Sequence, residues 1–474
     1  MGPLAPVFDD HRAHLAALRA AAVAAADPAQ AVRRWLRADD LAGAERVYLI
    51  GVGKAAVGML LAAADVVGRR LTAGVAAVPR LPEAAELSSR ARDGVAARVA
   101  ERVSFIEGGH PEPTAGSLTA GRAVEALLSQ VTARDLVIVL VSGGGSAMLE
   151  LPRAGITLAH LKATTAALLR SGAPIQDFNA VRTRLSQLKG GGLARLAQPA
   201  RVLGLILSDV VGSPLEAIAS GPTVLGALDS GAALAVLERY GLAHQLPAAV
   251  LRSLQHGTAG LPDRAGAPAG APTGEVPRVE NRLIGSNRMA AEAAVAAAAR
   301  LGFASELLGD DWQGEARLVG RRFARQLLAA TAQRPPAAER PASARPSAGG
   351  QHPTAERLAV PLCLVAGGES TVSLHGRGRG GRNQEAALAA ALAIDGQPGL
   401  VIGTFATDGV DGPTDAAGAT VTGDTLPRAR ALNLDAEHYL NDNDSYNFFA
   451  QAGGLLITGP TGTNVNDLMF GLAY

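Results

Sequence analysis

The run Leu136-Val-Ile-Val-Leu-Val141, followed at once by Ser142-Gly-Gly-Gly-Ser146, decides the fold of this chain. Every side chain of the run is apolar, which is typical of a central strand of a parallel sheet that is buried on both faces. The glycine loop places flexible backbone N–H groups at the carboxyl end of that strand, where open α/β sheets bind ligands. We therefore predict an α/β fold with an anion-binding loop whose serine hydroxyls are additional donors, the alternative being glycines that serve packing alone. The loop consists of Ser142, Gly143, Gly144, Gly145 and Ser146.

Short apolar runs alternate with helical patterns on both sides of this strand, which predicts βαβ units and a mostly parallel sheet. In the first half, strands are expected at 47–50, 74–78, 104–107, 136–141 and 202–207. In the second half they are expected near 283 and at 305–308, 362–366, 400–404 and 455–458. Helices are expected at 118–128, 158–169 with Thr157 as N-cap, 290–301, 314–330 and 384–393.

Two segments without apolar periodicity divide the chain into domains. Residues 256–280 are rich in Gly, Ala and Pro and predict a linker between an N-terminal domain, 1–255, and a C-terminal domain, 281–474. Residues 333–356 are rich in Pro, Ala and Arg and predict a disordered surface insertion, because they cannot bury enough apolar area to offset the entropy of ordering.

Composition and charge exclude several classes of protein. The 44 basic and 43 acidic residues nearly balance, so the chain has no field that would attract nucleic acid or a membrane surface. The single cysteine, Cys363, excludes an internal disulfide, is expected in a buried strand, and favours the cytoplasm. The Ala-rich segment 15–26 resembles a signal peptide, but its flanking charges predict an amphipathic surface helix.

Only three of the 44 basic residues are lysine, and two of them lie in glycine-rich segments. Lys54 belongs to Gly51-Val-Gly-Lys54, which follows a predicted strand and opens a helix, as phosphate and dinucleotide loops do. The lysine favours phosphate over a dinucleotide, and a plain turn made by Gly53 and its neighbours is the alternative. Lys189 is a second candidate for a phosphate contact, because an ammonium is a compact point charge, whereas Lys162 is expected on a solvated helix face.

Polar residues at other predicted strand ends are candidates for the same site. His110 lies in Gly109-His-Pro-Glu-Pro-Thr114, where it either contacts substrate or is structural. Asp209 and Asp408 follow strands, with Asp411 and Asp415 close behind. Carboxylates at such ends hold Mg²⁺ bridged to phosphates, although turn formation is the alternative for each.

The segment 375–385 interleaves arginine with glycine and then opens a helix. Flexible backbone, guanidinium groups and a helix N-terminus together predict an anion site formed by Arg377, Arg379 and Arg382. An RNA-binding segment is disfavoured because no aromatic residue is interleaved and the chain is neutral overall.

In this order the motifs resemble the type II glycerate kinases, whose C-terminal part is called the MOFRL domain. The resemblance covers nearly the whole chain outside 256–280 and 333–356. Further segments that carry it are 179–182 with 188–191, 219–222, 285–287, 367–369, 406–415, 443–446 and 458–464.

The resemblance implies a Rossmann-like N-terminal domain with a mostly parallel sheet flanked by helices, a C-terminal α/β MOFRL-type domain, and an active site in the interdomain cleft. It also implies dependence on ATP and Mg²⁺, transfer of phosphate to glycerate, commonly at O2, and catalytic roles for Lys54 and Arg382. Asp209 is expected as the third catalytic residue and, with Asp408, as a metal ligand. The residues expected to bind substrate or phosphate are Gly53, His110, Ser142, Gly143, Gly144, Gly145, Ser146, Asn287, Arg377, Arg379 and Asn383.

The sequence departs from the family pattern near Asp209. Ser213-Pro214 stands where the family usually has an acidic pair, Thr183-Arg184 replaces a basic pair, and Gly192 replaces an arginine. We keep two alternatives to a cytoplasmic, monomeric or dimeric glycerate kinase. One is an NADPH-dependent hydroxypyruvate reductase, which the Gly51 loop and Arg80 favour, and the other is a metabolite-binding protein without turnover, which Ser213-Pro214 favours.

Overall fold

The computed structural model describes residues 6–92, 94–226, 230–255, 278–333 and 360–474. The chain divides into two compact units, a first unit of Pro28–Gly285 and a second unit of Met1–Asp27 with Ser286–Tyr474. Helix α1 (His11–Ala25) opens the chain and belongs to the second unit. In the described ranges, no helix is long and apolar enough to cross a membrane.

The first unit contains a six-stranded sheet and its helices. Its elements are α2 (Pro28–Trp35), β1 (Arg46–Val52), α3 (Ala56–Val67), β2 (Leu71–Val78), α4 (Ala84–Arg90), α5 (Val95–Arg102), β3 (Val103–Glu107), α6 (Ala115–Leu128), β4 (Asp135–Val141), α7 (Gly145–Met148), α8 (Leu158–Arg170), α9 (Ile175–Leu185), α10 (Gly192–Leu196), β5 (Arg201–Leu207), α11 (Ser230–Arg239), α12 (Ala248–Gln255) and β6 (Val279–Gly285).

All neighbouring strands of the first sheet are parallel, in the order β3-β2-β1-β4-β5-β6. This is the order of a Rossmann fold, and the direction of chain progression reverses between β1 and β4. β4 is buried along its whole length, as its apolar run predicted. Loops that follow β1 and β4 therefore meet at the switch point, where such sheets bind ligands.

The second unit contains a mixed sheet. Its remaining elements are α13 (Asn287–Arg300), β7 (Ala304–Glu315), α14 (Ala316–Ala332), β8 (Leu362–Thr371), α15 (Arg382–Ala393), β9 (Leu400–Ala406), β10 (Gly418–Thr422), α16 (Thr425–Ala431), α17 (Ala436–Asn441), α18 (Ser445–Ala452), β11 (Leu455–Leu456) and β12 (Asp467–Ala473). The strand order is β11-β10-β9-β12-β8-β7. Only the β7–β8 pair is parallel among these described strands, because β12 runs antiparallel to both β8 and β9.

The division into units differs from the predicted domains at both boundaries. Strand β6 pairs with β5 and completes the first sheet, although residues 281–285 were assigned to the C-terminal domain. Helix α1 is amphipathic as predicted, with Leu15 and Leu18 buried, but it belongs to the second unit and not to the N-terminal domain. His14 Nδ1 also lies 2.8 Å from the hydroxyl of Tyr474.

Several other predictions are confirmed, and some fall outside the described residues. Thr157 caps α8 by accepting a hydrogen bond from the His160 N–H at 3.2 Å, and Cys363 is buried in β8. The predicted linker lies outside the described residues up to 277, and the predicted insertion does so from 334 onwards. Strand β10 was not predicted, and a strand after the glycine loop 459–464 was expected without bounds.

Candidate active site

Lys54 lies in the turn between β1 and α3, and the backbone of this turn is fixed to the loop after β4. The Lys54 N–H donates to the carbonyl oxygen of Gly143 at 2.9 Å, and the Ala55 N–H donates to the Ser142 hydroxyl at 3.1 Å. Gly53 has φ +109°, and a Cβ there would lie 2.4 Å from the Ser142 carbonyl oxygen, so this close approach requires glycine. The two glycine loops therefore form one structure at the switch point.

Three backbone N–H groups of the β4 loop have no acceptor in the part of the chain that the structure describes. They belong to Gly143, Gly144 and Ser146. Gly144 adopts the left-handed conformation, with φ +81°. Successive unpaired amides around such a residue form a concavity that suits an anion.

Lys54, His110 and Asp209 interact electrostatically at the same edge. Burial raises the pKa of Asp209, and the charges of Lys54 and His110 counteract part of that shift. Burial and the charge of Lys54 lower the pKa of His110, whereas Asp209 acts in the opposite direction. Within the described ranges no ion pair engages Lys54 or Asp209.

The serine hydroxyls of the β4 loop have partners within the protein. The Ser142 hydroxyl donates to the Val52 carbonyl oxygen at 3.2 Å. The Ser146 hydroxyl is hydrogen-bonded to that of Ser220, which donates to Asn179 Oδ1 at 3.0 Å. These hydroxyls fix the shape of the loop and are not the free donors that the sequence predicted.

Lys189 does not lie open to phosphate. Its Nζ donates to Glu150 Oε2 at 2.6 Å and to the Leu149 carbonyl oxygen at 3.3 Å, and its side chain is 2% exposed. The predicted phosphate contact is therefore wrong for this residue, because a buried carboxylate already neutralises the ammonium. Lys162, by contrast, is 43% exposed and lies 3.7 Å from Glu112, as a solvated lysine should.

In the second unit, Asn443 supports the arginine-glycine segment. Its Oδ1 accepts hydrogen bonds from the N–H groups of His375 and Gly376 at 2.7 and 3.0 Å. Its Nδ2 donates to Glu385 Oε2 in α15 at 3.0 Å. Asn443 thus connects the start of the segment to the helix that follows it.

The first two arginines of the segment, Arg377 and Arg379, are anchored through their backbone. The N–H groups of Arg377 and Arg379 donate to Asp442 Oδ1 and Asp444 Oδ1 at 3.1 and 2.8 Å. The Arg379 guanidinium lies over the ring of Tyr446, 4.2 Å from its centroid. The fixed backbone holds both side chains at the surface of the second unit.

Arg382 begins α15 and is engaged by a buried carboxylate. Its Nε and Nη2 donate to Asp467 Oδ2 and Oδ1 at 2.5 and 3.0 Å, and its Nη1 lies 3.8 Å from Glu369 Oε1. Burial lowers the pKa of Arg382, but the hydrogen bond and charge of Asp467 outweigh it and the pKa is raised. Arg382 therefore stays charged although its side chain is only 31% exposed.

The amino end of α15 is capped by Asp411. Its Oδ1 and Oδ2 accept hydrogen bonds from the N–H groups of Asn383 and Gln384 at 3.1 and 2.9 Å. Burial raises the pKa of Asp411 to about 6, while these two amides act in the opposite direction. The helix terminus therefore binds a carboxylate of the protein itself, which corrects the expectation that it is open to a ligand.

Asn287 and Asn383 both bond to Asp467. Asn287 Nδ2 donates to the carbonyl oxygens of Val465 and Asp467 at 2.7 and 2.9 Å. Asn383 Nδ2 donates to Asp467 Oδ1 at 2.9 Å. Their predicted contact with a ligand stays a prediction, and the structure gives them this second role.

Asp408 and Asp415, which also follow β9, each accept a hydrogen bond from within the second unit. Asp408 Oδ1 accepts from the Val410 N–H at 3.0 Å, and Asp415 Oδ1 accepts from the Tyr446 hydroxyl at 2.7 Å. Among the described side chains, no group of three or more His, Cys, Asp or Glu is arranged to hold a metal ion.

Asp467 is the site residue that the sequence reasoning missed. It opens β12, a strand whose bounds were not predicted, so the carboxylate was not recognised as lying at a strand end. The apolar run Leu468-Met-Phe-Gly-Leu-Ala473 directly after an aspartate was the available signal.

The Rossmann strand order, with unpaired amides and a lysine at the switch point, is typical of α/β enzymes that bind phosphorylated ligands. Comparison with known proteins specifies the family. Residues 14–255 match the family described as Domain of unknown function (DUF4147), and residues 362–467 match the MOFRL family.

Curated relatives and a solved structure agree with this match. The chain is 38% identical to D-glycerate 2-kinase of Thermotoga maritima, covering 90% of this chain and 91% of that protein. It is 37% identical to glycerate 2-kinase of Pyrococcus horikoshii, covering 95% and 94%. The crystal structure of glycerate kinase from Thermotoga maritima superposes with a TM-score of 0.81 at 36% identity, over 98% of this chain and 100% of that one. The chain belongs to the glycerate kinase family with DUF4147 and MOFRL regions.

Proposed function

We propose that the protein is a kinase that transfers the γ-phosphoryl group of ATP to D-glycerate and forms 2-phosphoglycerate. The observation that carries the proposal is the position of Lys54, an ammonium without an ion pair in the described structure, at the switch point beside three unpaired amides. Similarity to two glycerate 2-kinases over at least 90% of the chain supports the choice of acceptor and of oxygen O2.

In the first unit, Lys54 and the amides of Gly143, Gly144 and Ser146 bind phosphate oxygens. Phosphoryl transfer depends on positioning and on neutralising charge, which fixed amides and an ammonium supply without reorganisation. Gly53 allows the two loops to approach each other. His110, next to this edge, contacts either the phosphates or the substrate carboxylate.

The residues present fit Mg²⁺ held together with a nucleotide. Magnesium in such sites takes one or two carboxylates besides phosphates and water, so three converging protein ligands are not required. Asp209 is a half-buried carboxylate without an ion pair in the described ranges, which a cation would compensate. Asp408 has one oxygen in a turn and is the second candidate. When bound, Mg²⁺ neutralises charge on the phosphates.

In the second unit, Arg382 contacts the transferred phosphoryl group, and Arg377 and Arg379 attract the anionic substrates. The glycerate O2 forms a bond to the γ-phosphorus while the bond to the β–γ bridging oxygen breaks, and ADP leaves. The hydroxyl proton passes to a carboxylate, for which Asp209 and Asp408 are again the candidates. We place the enzyme in the cytoplasm, as a monomer or homodimer, and its single buried cysteine suits a reducing compartment.

Two assays on the purified chain separate this proposal from the alternatives. ATP consumption that requires both D-glycerate and Mg²⁺ supports the kinase. NADPH oxidation with hydroxypyruvate, and no ATP consumption, would instead identify a reductase. Binding of ATP or glycerate without product in either assay would identify a metabolite-binding protein.

A further inference from the structure

The guanidinium of Arg382 has an inner edge and an outer edge with different surroundings. On the inner edge, Nε and Nη2 donate to Asp467 Oδ2 and Oδ1 at 2.5 and 3.0 Å, which is a bidentate pair. Bidentate pairing with a carboxylate fixes both the position and the orientation of a planar guanidinium group. Nη1 lies on the outer edge, 3.8 Å from Glu369, whose side chain is 45% exposed. The orientation of Arg382 is therefore set by Asp467.

Asp467 is itself held rigidly. It pairs with Gly368 of β8 and with Ala406 of β9, so it lies between two neighbouring strands. Asn383 Nδ2 donates to its Oδ1 at 2.9 Å, and Asn287 Nδ2 donates to its carbonyl oxygen at 2.9 Å. The side chain of Asp467 is 8% exposed, and the Arg382 guanidinium provides its positive partner.

We propose that Asp467 is the positioning residue for Arg382, supported by Asn287 and Asn383. This inference rests on the proposed function, because Arg382 is the group that contacts the transferred phosphoryl. A catalytic group must be held close to its productive geometry by neighbours whose own positions are locked. Asp467 meets that requirement through strand pairing and two amide hydrogen bonds, and it needs no contact with substrate.

A double-mutant cycle on the full-length enzyme tests the inference. Asp467→Asn should lower kcat about 100-fold, the cost expected when a reacting group is misplaced by about 1 Å. In an Arg382→Ala background, the same substitution should leave the residual kcat unchanged within about two-fold, because the group that Asp467 positions is absent. An equal loss in both backgrounds would overturn the proposal.

Two further measurements keep the test decisive if Asp467→Asn is poorly folded. Arg382→Lys retains the charge but cannot form the bidentate pair, so its kcat should also fall about 100-fold. Guanidinium added to Arg382→Ala should restore part of kcat, since Asp467 offers it a binding site. Normal kcat in Arg382→Lys, or no rescue of Arg382→Ala by guanidinium, would contradict the role of Asp467.

A matched control separates positioning from stability. Asp40 makes a similar bidentate pair with Arg282 in the first unit, at 2.6 and 2.8 Å. Asp40→Asn should lower the melting temperature and leave the kcat of the folded enzyme within two-fold of wild type. Absence of glycerate-dependent ATP consumption in the wild-type enzyme would refute the proposed function, whereas additive losses in an active enzyme refute only the positioning role.

Discussion

Gly143 and Asp209 lie so close together that a Cβ on Gly143 would be 1.9 Å from Asp209 Oδ2. No side chain fits there without moving the carboxylate or the loop, since real Cβ atoms do not come within 3.0 Å of a neighbour. The glycine loop and the half-buried aspartate are thus parts of one arrangement. Two of the predicted site segments, which are far apart in sequence, meet at this point.

Gly143→Ala should therefore impair turnover by displacing Asp209 or the loop amides. We expect kcat/KM for glycerate to fall about 100-fold, as is usual when reacting groups shift by about 1 Å. Steady-state kinetics of the folded variant measure this. Gly58→Ala is the control, because a Cβ on Gly58 meets no atom within 4 Å and alanine favours the helix. Wild-type kinetics in Gly143→Ala would show that the close approach is irrelevant to catalysis.

Lys189→Met should destabilise the first unit. It leaves Glu150 as a buried, unpaired carboxylate, and breaking one partner of a buried pair costs about 3–5 kcal/mol of unfolding free energy. Urea unfolding followed by circular dichroism measures the loss. The double variant Lys189→Met, Glu150→Leu should recover much of it, since an apolar pair of similar volume is often neutral.

The exposed lysine is the control for that experiment. Lys162→Met, which breaks the surface pair with Glu112, should change the unfolding free energy by no more than about 0.5 kcal/mol. Equal effects of the Lys189 and Lys162 substitutions would contradict the assignment of Lys189 as a structural residue.

Asp411 should make stability depend on pH. Because burial raises its pKa to about 6, the folded state binds a proton that the unfolded chain, with a carboxyl pKa of about 3.9, releases. The contribution of Asp411 to the unfolding free energy is fully present below about pH 4 and is lost as the pH rises through about 6. As the pH falls from 7 to 5, the unfolding free energy of wild type should therefore increase relative to that of Asp411→Asn.

Asp40 is the control for this pH dependence, because its pKa is lowered whereas that of Asp411 is raised. Its hydrogen bond from Arg282 is the main reason that its pKa is lowered, so it remains ionised throughout that range. The stability difference between wild type and Asp40→Asn should be constant from pH 7 to pH 5. A constant difference for Asp411→Asn as well would show that Asp411 is not buried as described.

The sequence predicted those features that depend on short local patterns. The apolar run of β4 and the glycines after it specify a buried parallel strand and its loop, and both are present. Features that depend on distant pairing were missed. β6 reads as the start of the second half, yet it pairs with β5, and the sequence near Lys189 contains no sign that Glu150 is its partner.

In the second unit, a prediction that was based on residue type alone was wrong in part. Three arginines before a helix suggested open anion donors, but Asp411 and Asp467 occupy the helix terminus and the inner edge of Arg382. These carboxylates come from segments 29 and 85 residues away from Arg382 in sequence (411 − 382 and 467 − 382), so only the fold shows that they meet. Lys54 lies exposed at the switch point, and its predicted contact with phosphate stays a prediction.

The position of the transferred phosphate tests the central claim most directly. Purified wild-type enzyme, incubated with ATP, Mg²⁺ and D-glycerate and followed by ³¹P NMR, should yield ADP and 2-phosphoglycerate in equal amounts. Lys54→Ala, whose substituted side chain is exposed, should remain folded and yield neither product at a measurable rate. Unchanged ATP in the wild-type reaction, or an equal rate from Lys54→Ala, would contradict a glycerate 2-kinase that acts through Lys54.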